Sequence, residues 1–213
     1  LIDYYMPENG VFHNLILAKI KTLYPGHASQ MMHAFWGVGQ MSFVKHAVFV
    51  NEDAPLLTDH QGIMKHILNR LNIDDMLVTK GVVDALDHSS PKFAVGGKLG
   101  LDCTGDEITE LGIILLKDNE LLERMKAITS EVKDLKQYFT DTKNPIAVIS
   151  VEKTRNQKYL FEDLKPLFEH IKILIIVENN KNDVNNSYML VWRVANNIDS
   201  NRDLFIDGHT MCL

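Results

Sequence analysis

The sequence predicts an α/β protein of duplicated β-α-β-α units around mixed sheets, joined by a helical connector. Three observations carry this reading. Short apolar runs of strand length recur, the longest being Ile173-Leu174-Ile175-Ile176-Val177. Segments with apolar residues three to four apart lie between those runs, as amphipathic helices require. The order strand, polar turn, helix, glycine occurs in the first half and returns after Pro145.

In the first unit, Leu15 to Lys21 favours a buried strand, closed by Tyr24-Pro25-Gly26. The spacing of Met31, Met32, Phe35 and Trp36 predicts a buried helix face from His27 to Trp36. Phe43 to Val50 reads as a strand covered on both faces. Thr58 or Asp59 suits the cap of a helix carrying Ile63, Ile67, Leu68 and Leu71. Lys80 to Gly105 is glycine-rich and reads as a long ordered loop of the kind that often carries function. Leu121, Met125, Ile128, Val132, Leu135 and Phe139 keep a four-three spacing, so 106–141 reads as helix, broken at most at Thr129-Ser130.

In the second unit, Ile146 to Val151 and Lys172 to Val177 read as strands, and Leu160 to His170 and Ser187 to Asn197 as helices. A gapless alignment of Lys45–Leu86 on Lys172–Leu213 gives six identities in 42 positions, near chance. The repeat therefore rests on the order of elements. The resulting division is 1–105 for the first unit with its glycine-rich loop, 106–144 for the connector, and 145–213 for a related unit that stops where the first enters its loop. A chain that begins at Leu1 and stops there is expected to be a piece of something longer.

The chain has 213 residues and a net charge of −6, from 22 Lys plus Arg against 28 Asp plus Glu. With 46% hydrophobic and 23% charged residues it has the composition of a globular protein with a real core. Mild acidity argues against a general nucleic-acid binder. No apolar run approaches the roughly 20 residues that span a bilayer, and no signal peptide is visible, so no integral membrane segment is expected. Cys103 and Cys212 show neither CxxC nor zinc-ribbon spacing and read as reduced thiols of a cytoplasmic protein.

Several chemical motifs can be tested. Gly37-Val38-Gly39 lacks the third glycine of a dinucleotide fingerprint and follows a helix where a strand is needed. Gly96-Gly97-Lys98 resembles the end of a phosphate loop, but Leu99 replaces the required hydroxyl residue. The histidines show no HExxH, and the pairs His27/His33 and His60/His66 fall on different sides of a helix. No Gly-x-Ser-x-Gly elbow occurs. The most chemically loaded stretch is Asp84-Ala85-Leu86-Asp87-His88-Ser89-Ser90-Pro91. Its Asp and His suit acid–base work, and Asp87 and Ser89 equally suit the capping of local turns. Lys45 begins a buried strand and so needs a route to solvent or an anionic partner, either a phosphate or a neighbouring carboxylate.

Ordered motifs then add a family resemblance. Tyr24-Pro25-Gly26-His27-Ala28, Ala34-Phe35-Trp36-Gly37, Phe43-Val44-Lys45-His46-Ala47-Val48-Phe49-Val50-Asn51-Glu52-Asp53, Leu86-Asp87-His88-Ser89-Ser90-Pro91 and Gly97-Lys98-Leu99-Gly100-Leu101-Asp102-Cys103-Thr104 resemble the C-terminal portion of the UbiD family. In the second unit, Val191-Trp192-Arg193-Val194-Ala195-Asn196-Asn197 and Asn201-Arg202-Asp203 are similar to the helix and following segment of the same domain, as an extra C-terminal region carried by longer members. Some of those members are assigned to quinone biosynthesis.

The resemblance implies a decarboxylase of aromatic or α,β-unsaturated acids that uses prenylated flavin mononucleotide with a divalent metal. It implies that the catalytic Arg and two Glu and the metal ligands belong to a preceding flavin domain, and that these 213 residues neither turn over substrate nor hold the cofactor alone. Their implied work is to line part of the substrate pocket and to build a homo-oligomer. By the same resemblance Lys45 reaches the cofactor phosphate, and Ala85, Leu86 and Asp87 line the substrate side. Lys98 lies in the matching loop with no assigned role. Cys103 replaces the family's usual alanine, a small change. Asn69-Arg70-Leu71-Asn72-Ile73-Asp74-Asp75 is a loose version of a family segment that Asn201-Arg202-Asp203 fits better, as though the two copies had divided one set of roles. The competing readings are a duplicated module that only assembles, and an independent small-ligand binder using the loop from 81 to 105.

Overall fold

The structure, a computed structural model, describes residues 1–11 and 13–213. Two compact units divide the chain. One comprises Leu1–Ile108 with Val191–Asp203, the other Thr109–Leu190 with Leu204–Leu213.

The first unit holds a five-stranded sheet: β1 (Asp3–Tyr5), β2 (Leu15–Lys19), β3 (His46–Val50), β4 (Leu77–Val82) and β5 (Val95–Cys103), in the order β1-β2-β3-β5-β4. The middle strands β2, β3 and β5 are parallel, and β1 and β4 close the two edges antiparallel. Helix α1 (His27–Gly37) joins β2 to β3, and α2 (His60–Leu68) joins β3 to β4. Asp59 caps α2, accepting from the Gly62 amide at 3.0 Å. All five residues of β3 are buried, which accounts for its unbroken apolar run. Ile16, Ala18, Met32, Phe35, Ala47 and Phe49 form the core beneath α1.

The second unit repeats this topology. Its strands are β6 (Val132–Tyr138), β7 (Ile146–Val151), β8 (Ile173–Glu178), β9 (Phe205–Asp207) and β10 (Thr210–Cys212), in the order β6-β7-β8-β10-β9. The alternation of parallel centre and antiparallel edges is the same. Helices α3 (Asp118–Ile128) and α4 (Gln157–Leu164) pack Leu121, Met125, Leu160, Phe161 and Leu164 against Val132, Leu135, Ile149 and Leu174. A 3-10 turn over Lys165–His170 continues α4, because Pro166 interrupts the α-helical hydrogen bonding. Between β8 and β9 lie α5 (Ser187–Asn197) and the short α6 (Ser200–Asp203); from Val191 to Asp203 the chain is part of the first unit.

The α/β class and the duplication are as the sequence predicts, and three details differ. First, 106–141 is not one helical run: α3 ends at Ile128 and β6 follows. Thr129 and Ser130 break the helix, after which Val132, Leu135 and Gln137 are buried in a strand pattern. Second, the glycine-rich loop is much shorter than 80–105, because Gly96, Gly97 and Gly100 lie in β5; only 83–94 connects β4 to β5. Third, the second copy does not stop at the loop. β9 and β10 complete its sheet, joined by a tight turn at Gly208, φ +54°. The gapless alignment holds through β3 and β8 and then fails. His46 pairs with Leu99 whereas Ile173 pairs with Met211, so the second copy is shorter between those strands.

The glycines of β5 are explained by close approach. A Cβ on Gly97 would lie 2.5 Å from Ser200 Oγ and 2.8 Å from both the Asn201 amide nitrogen and Asp199 Oδ1. A Cβ on Gly100 would overlap Met32 Sδ of α1. Because backbone blocks the site at Gly97, Gly97→Ala is expected to destabilise the first unit by about 1–3 kcal/mol. Urea unfolding followed by tryptophan fluorescence checks this. Trp36 and Trp192 are the chain's two tryptophans, and both belong to the first unit.

Candidate functional site

The site grows from the start of β3. Lys45 precedes the strand, its amide bonded to the His13 carbonyl at 2.9 Å and its carbonyl accepting from the Leu99 amide at 2.9 Å. That backbone clamp sends the side chain inward, where it is 0% exposed. A buried ammonium is tolerable only with a partner. Lys45 Nζ lies 2.9 Å from Asp87 Oδ1 and 2.6 Å from Ser89 Oγ. Of the two partners open from the sequence, the structure supplies the carboxylate.

Asp87 is the hub of the 83–94 loop. Its Oδ2 accepts from the Ser90 amide at 3.1 Å and from the Ser90 hydroxyl. Burial works to raise the Asp87 carboxyl. The hydrogen bonds from Ser90, Lys45 and Ser89, with the Lys45 charge, outweigh it and hold the group below its usual value. Asp84 folds the tip of the loop: its Oδ1 accepts from the Leu86 amide at 2.9 Å and its Oδ2 lies 2.7 Å from His13 Nδ1. Those two contacts, the amide first, lower its carboxyl. Ala85 and Leu86 are exposed at that tip, Leu86 at 80%. Of the expected pocket-lining residues, then, two face outward and Asp87 turns in. His88 is exposed, so Asp87 and His88, neighbours in sequence, do not act as a pair.

A second buried lysine stands beside the first. Lys98 of β5 is 0% exposed and donates to the Ser42 and Val44 carbonyls, both at 2.7 Å. Burial, then the Lys45 charge, draws its pKa down to about 7, opposed by Asp87. His46 is likewise buried. Its Nδ1 lies 2.7 Å from the Asn14 carbonyl, so Nδ1 carries the proton, since a carbonyl can only accept. Its Nε2 is buried without a hydrogen-bond partner, and burial with the Lys45 charge lowers its pKa to about 4.

The second unit shows what the fold alone requires. Lys172 precedes β8 as Lys45 precedes β3, and its carbonyl accepts from the Met211 amide as that of Lys45 accepts from Leu99. At the position of Lys98 stands Thr210, whose Oγ1 donates to the Ile171 carbonyl at 2.8 Å, the equivalent of Lys98 to Val44. The tight turn at Gly208 replaces the 83–94 loop, and among the described residues no carboxylate pairs with Lys172. The charged cluster is a property of the first unit.

The donor set does not by itself fit a flavin phosphate. Lys45 is neutralised by Asp87, and Lys98 is bonded to two carbonyls. Among the described residues no three or more His, Cys, Asp or Glu form a group able to hold a metal ion. Cys103 and Cys212 are free and buried, with burial pushing both thiols up, Cys212 to about 12. None of the described helices is long and apolar enough to cross a membrane.

Two tandem five-stranded α/β units, one bearing an elaborated loop over a buried ion pair, define the class of protein. The family model of the 3-octaprenyl-4-hydroxybenzoate carboxy-lyase C-terminal domain matches residues 1–103 and 113–212, and the chain belongs to that family, UbiD. An uncharacterized protein of Helicobacter pylori strain J99 is 56% identical over 212 residues, covering 98% of this chain and 34% of its own length. An uncharacterized protein of Archaeoglobus fulgidus is 32% identical over 143 residues, 63% of this chain and 29% of its own. The chain thus spans about a third of the length of curated relatives it matches. Among solved structures, it is similar to the UbiD-class enzyme HmfF from Pelotomaculum thermopropionicum in complex with FMN, with TM-score 0.43 and 22% identity over 48% of this chain and 22% of that one. It is also similar to the vanillic acid decarboxylase of Sedimentibacter hydroxybenzoicus in open form, with TM-score 0.41 and 16% identity over 54% and 26%.

Proposed function

We propose that this chain is the C-terminal, pocket-lining and oligomer-forming region of a decarboxylase that acts on an aromatic quinone-precursor acid with prenylated FMN. The family match over both units carries the reading. In it, the flavin, its divalent metal and the catalytic carboxylates belong to an N-terminal domain of the same longer chain. When bound, the flavin supplies the electron sink for loss of carbon dioxide. The residues here position and enclose. Ala85 and Leu86 face the substrate, while Asp87 fastens the loop that carries them. Lys45 serves that fastening: a direct phosphate contact would require Asp87 to leave and its buried carboxylate to go unpaired.

A second reading, assembly without chemistry, applies to the second unit. Its tight turn at Gly208 and its lack of a paired buried lysine among the described residues favour it.

The test is carbon dioxide release by the whole protein, expressed with a source of prenylated FMN, from 3-octaprenyl-4-hydroxybenzoate and from a naphthoate. Release from one of the two is expected, and none from the 213-residue chain given the same cofactor. Turnover by the 213-residue chain alone would overturn the division of labour. A flavin-loaded whole protein inert on both acids would overturn the substrate class.

A further inference from the structure

Residues 191–203 occupy, between β8 and β9, the chain position that α2 and the 3-10 turn Ile73–Asp75 occupy between β3 and β4. They nevertheless belong to the first unit, and their polar contacts there converge on the functional loop and its base. Arg202 Nη1 donates to the Ser89 carbonyl at 2.9 Å, and the Ile198 carbonyl lies 3.0 Å from Ser89 Oγ, the hydroxyl that accepts from Lys45. Asp199 Oδ2 accepts from the Gly97 amide at 2.8 Å, and Asn201 Nδ2 donates to the Thr79 carbonyl at 3.2 Å. Asn196 Oδ1 accepts from Asn14 Nδ2 at 2.6 Å.

The segment is itself held rigid. Asp203 accepts from the Asp199 amide at 2.8 Å and from Arg202 Nε at 2.7 Å, which aims the guanidinium. Asp199 is 1% exposed, so its bond to Gly97 is shielded from water. The close approach is what excludes a side chain at Gly97. The arginine of the first copy's own crossover, Arg70, is directed instead to Asp53 and Glu107.

We propose that Arg202 and Asp199 are positioning residues, Arg202 clamping loop 83–94 at Ser89 and Asp199 pinning the start of β5 at Gly97 where the loop ends, so that the second copy's crossover segment sets the geometry of the first copy's substrate-facing tip. The clamp stands on hydrogen bonds. Its catalytic consequence rests on the decarboxylase reading above.

Arg202→Ala, Arg202→Lys and Asp199→Asn in the whole protein test it, by amide hydrogen exchange and by kinetics with 3-octaprenyl-4-hydroxybenzoate. Loss of one charge-assisted bond should speed exchange across 83–97 about tenfold in Arg202→Ala and Asp199→Asn, with β7 and β8 unchanged. KM should rise about tenfold while kcat falls less, and Arg202→Lys, which keeps a charged donor, should recover most of both. Unchanged exchange in Asp199→Asn and Arg202→Ala overturns the clamp. Should Arg202→Ala fail to fold, unchanged exchange in Asp199→Asn alone does so. Faster exchange with an unaltered KM overturns the positioning role and leaves the clamp. Faster exchange in the variants, with a wild-type protein that releases no carbon dioxide, overturns the decarboxylase reading and leaves the clamp.

Discussion

Lys45→Ala is expected to cost the first unit about 3–5 kcal/mol, because it leaves a buried carboxylate without its counter-ion. Asp87 keeps its bonds from Ser89 and Ser90, but hydroxyl and amide donors do not replace an ammonium. The side chain is fully buried, so truncation also opens a cavity that the rigid start of β3 cannot close. A double variant, Lys45→Met with Asp87→Leu, should recover most of the loss, since removing both charges removes the desolvation cost along with the attraction. Urea unfolding read by tryptophan fluorescence isolates the effect to the first unit. A loss under about 1 kcal/mol in the single variant would show that the pair does not fasten the loop.

Mild acid should destabilise the same unit by about 3.5 kcal/mol through His46. The unfolded side chain takes a proton near pH 6.5, and the folded one only near 4. Between those values the unfolded state holds the extra proton, so the contribution of His46 to stability is full above pH 6.5, falls with pH and is gone by about 4. At about 1.4 kcal/mol per pH unit, that interval gives the magnitude stated. The cause is visible in the ring. Nδ1 already donates to the Asn14 carbonyl, and a proton on Nε2 would be buried with no acceptor beside Lys45. His46→Gln should flatten the dependence between pH 6.5 and 4. An equally steep profile in that variant would assign the acid sensitivity to other groups.

Much of this architecture is legible in the sequence, and the same physics hides the rest. β2, β3, β7 and β8 are interior strands, and interior burial demands continuous apolar runs that can be read directly. β6 is hidden because Val132 and Leu135 continue the spacing of Leu121 and Met125, and residues three apart suit a helix face while also falling on a bulged strand. β5 is hidden because its glycines read as loop. Their reason lies in partners far along the chain, Asp199, Ser200 and Asn201 at Gly97 and Met32 at Gly100. The site divides in the same way. A lysine opening a buried strand announces a need for an anion, and the sequence offers Asp87 among the candidates. Nothing local announces His13 against Asp84, or Arg202 against the Ser89 carbonyl, because those contacts join segments 71 and 113 residues apart.

Thr210 and Lys98 close the same carbonyl in the two copies, one with a hydroxyl and one with an ammonium. The molecule thus carries its own natural control. An uncharged donor satisfies the Ile171 carbonyl, so the bond at that rung does not itself require a lysine. What separates the two copies at that rung is a second bond, to the Ser42 carbonyl, and an amine whose pKa burial draws down to about 7.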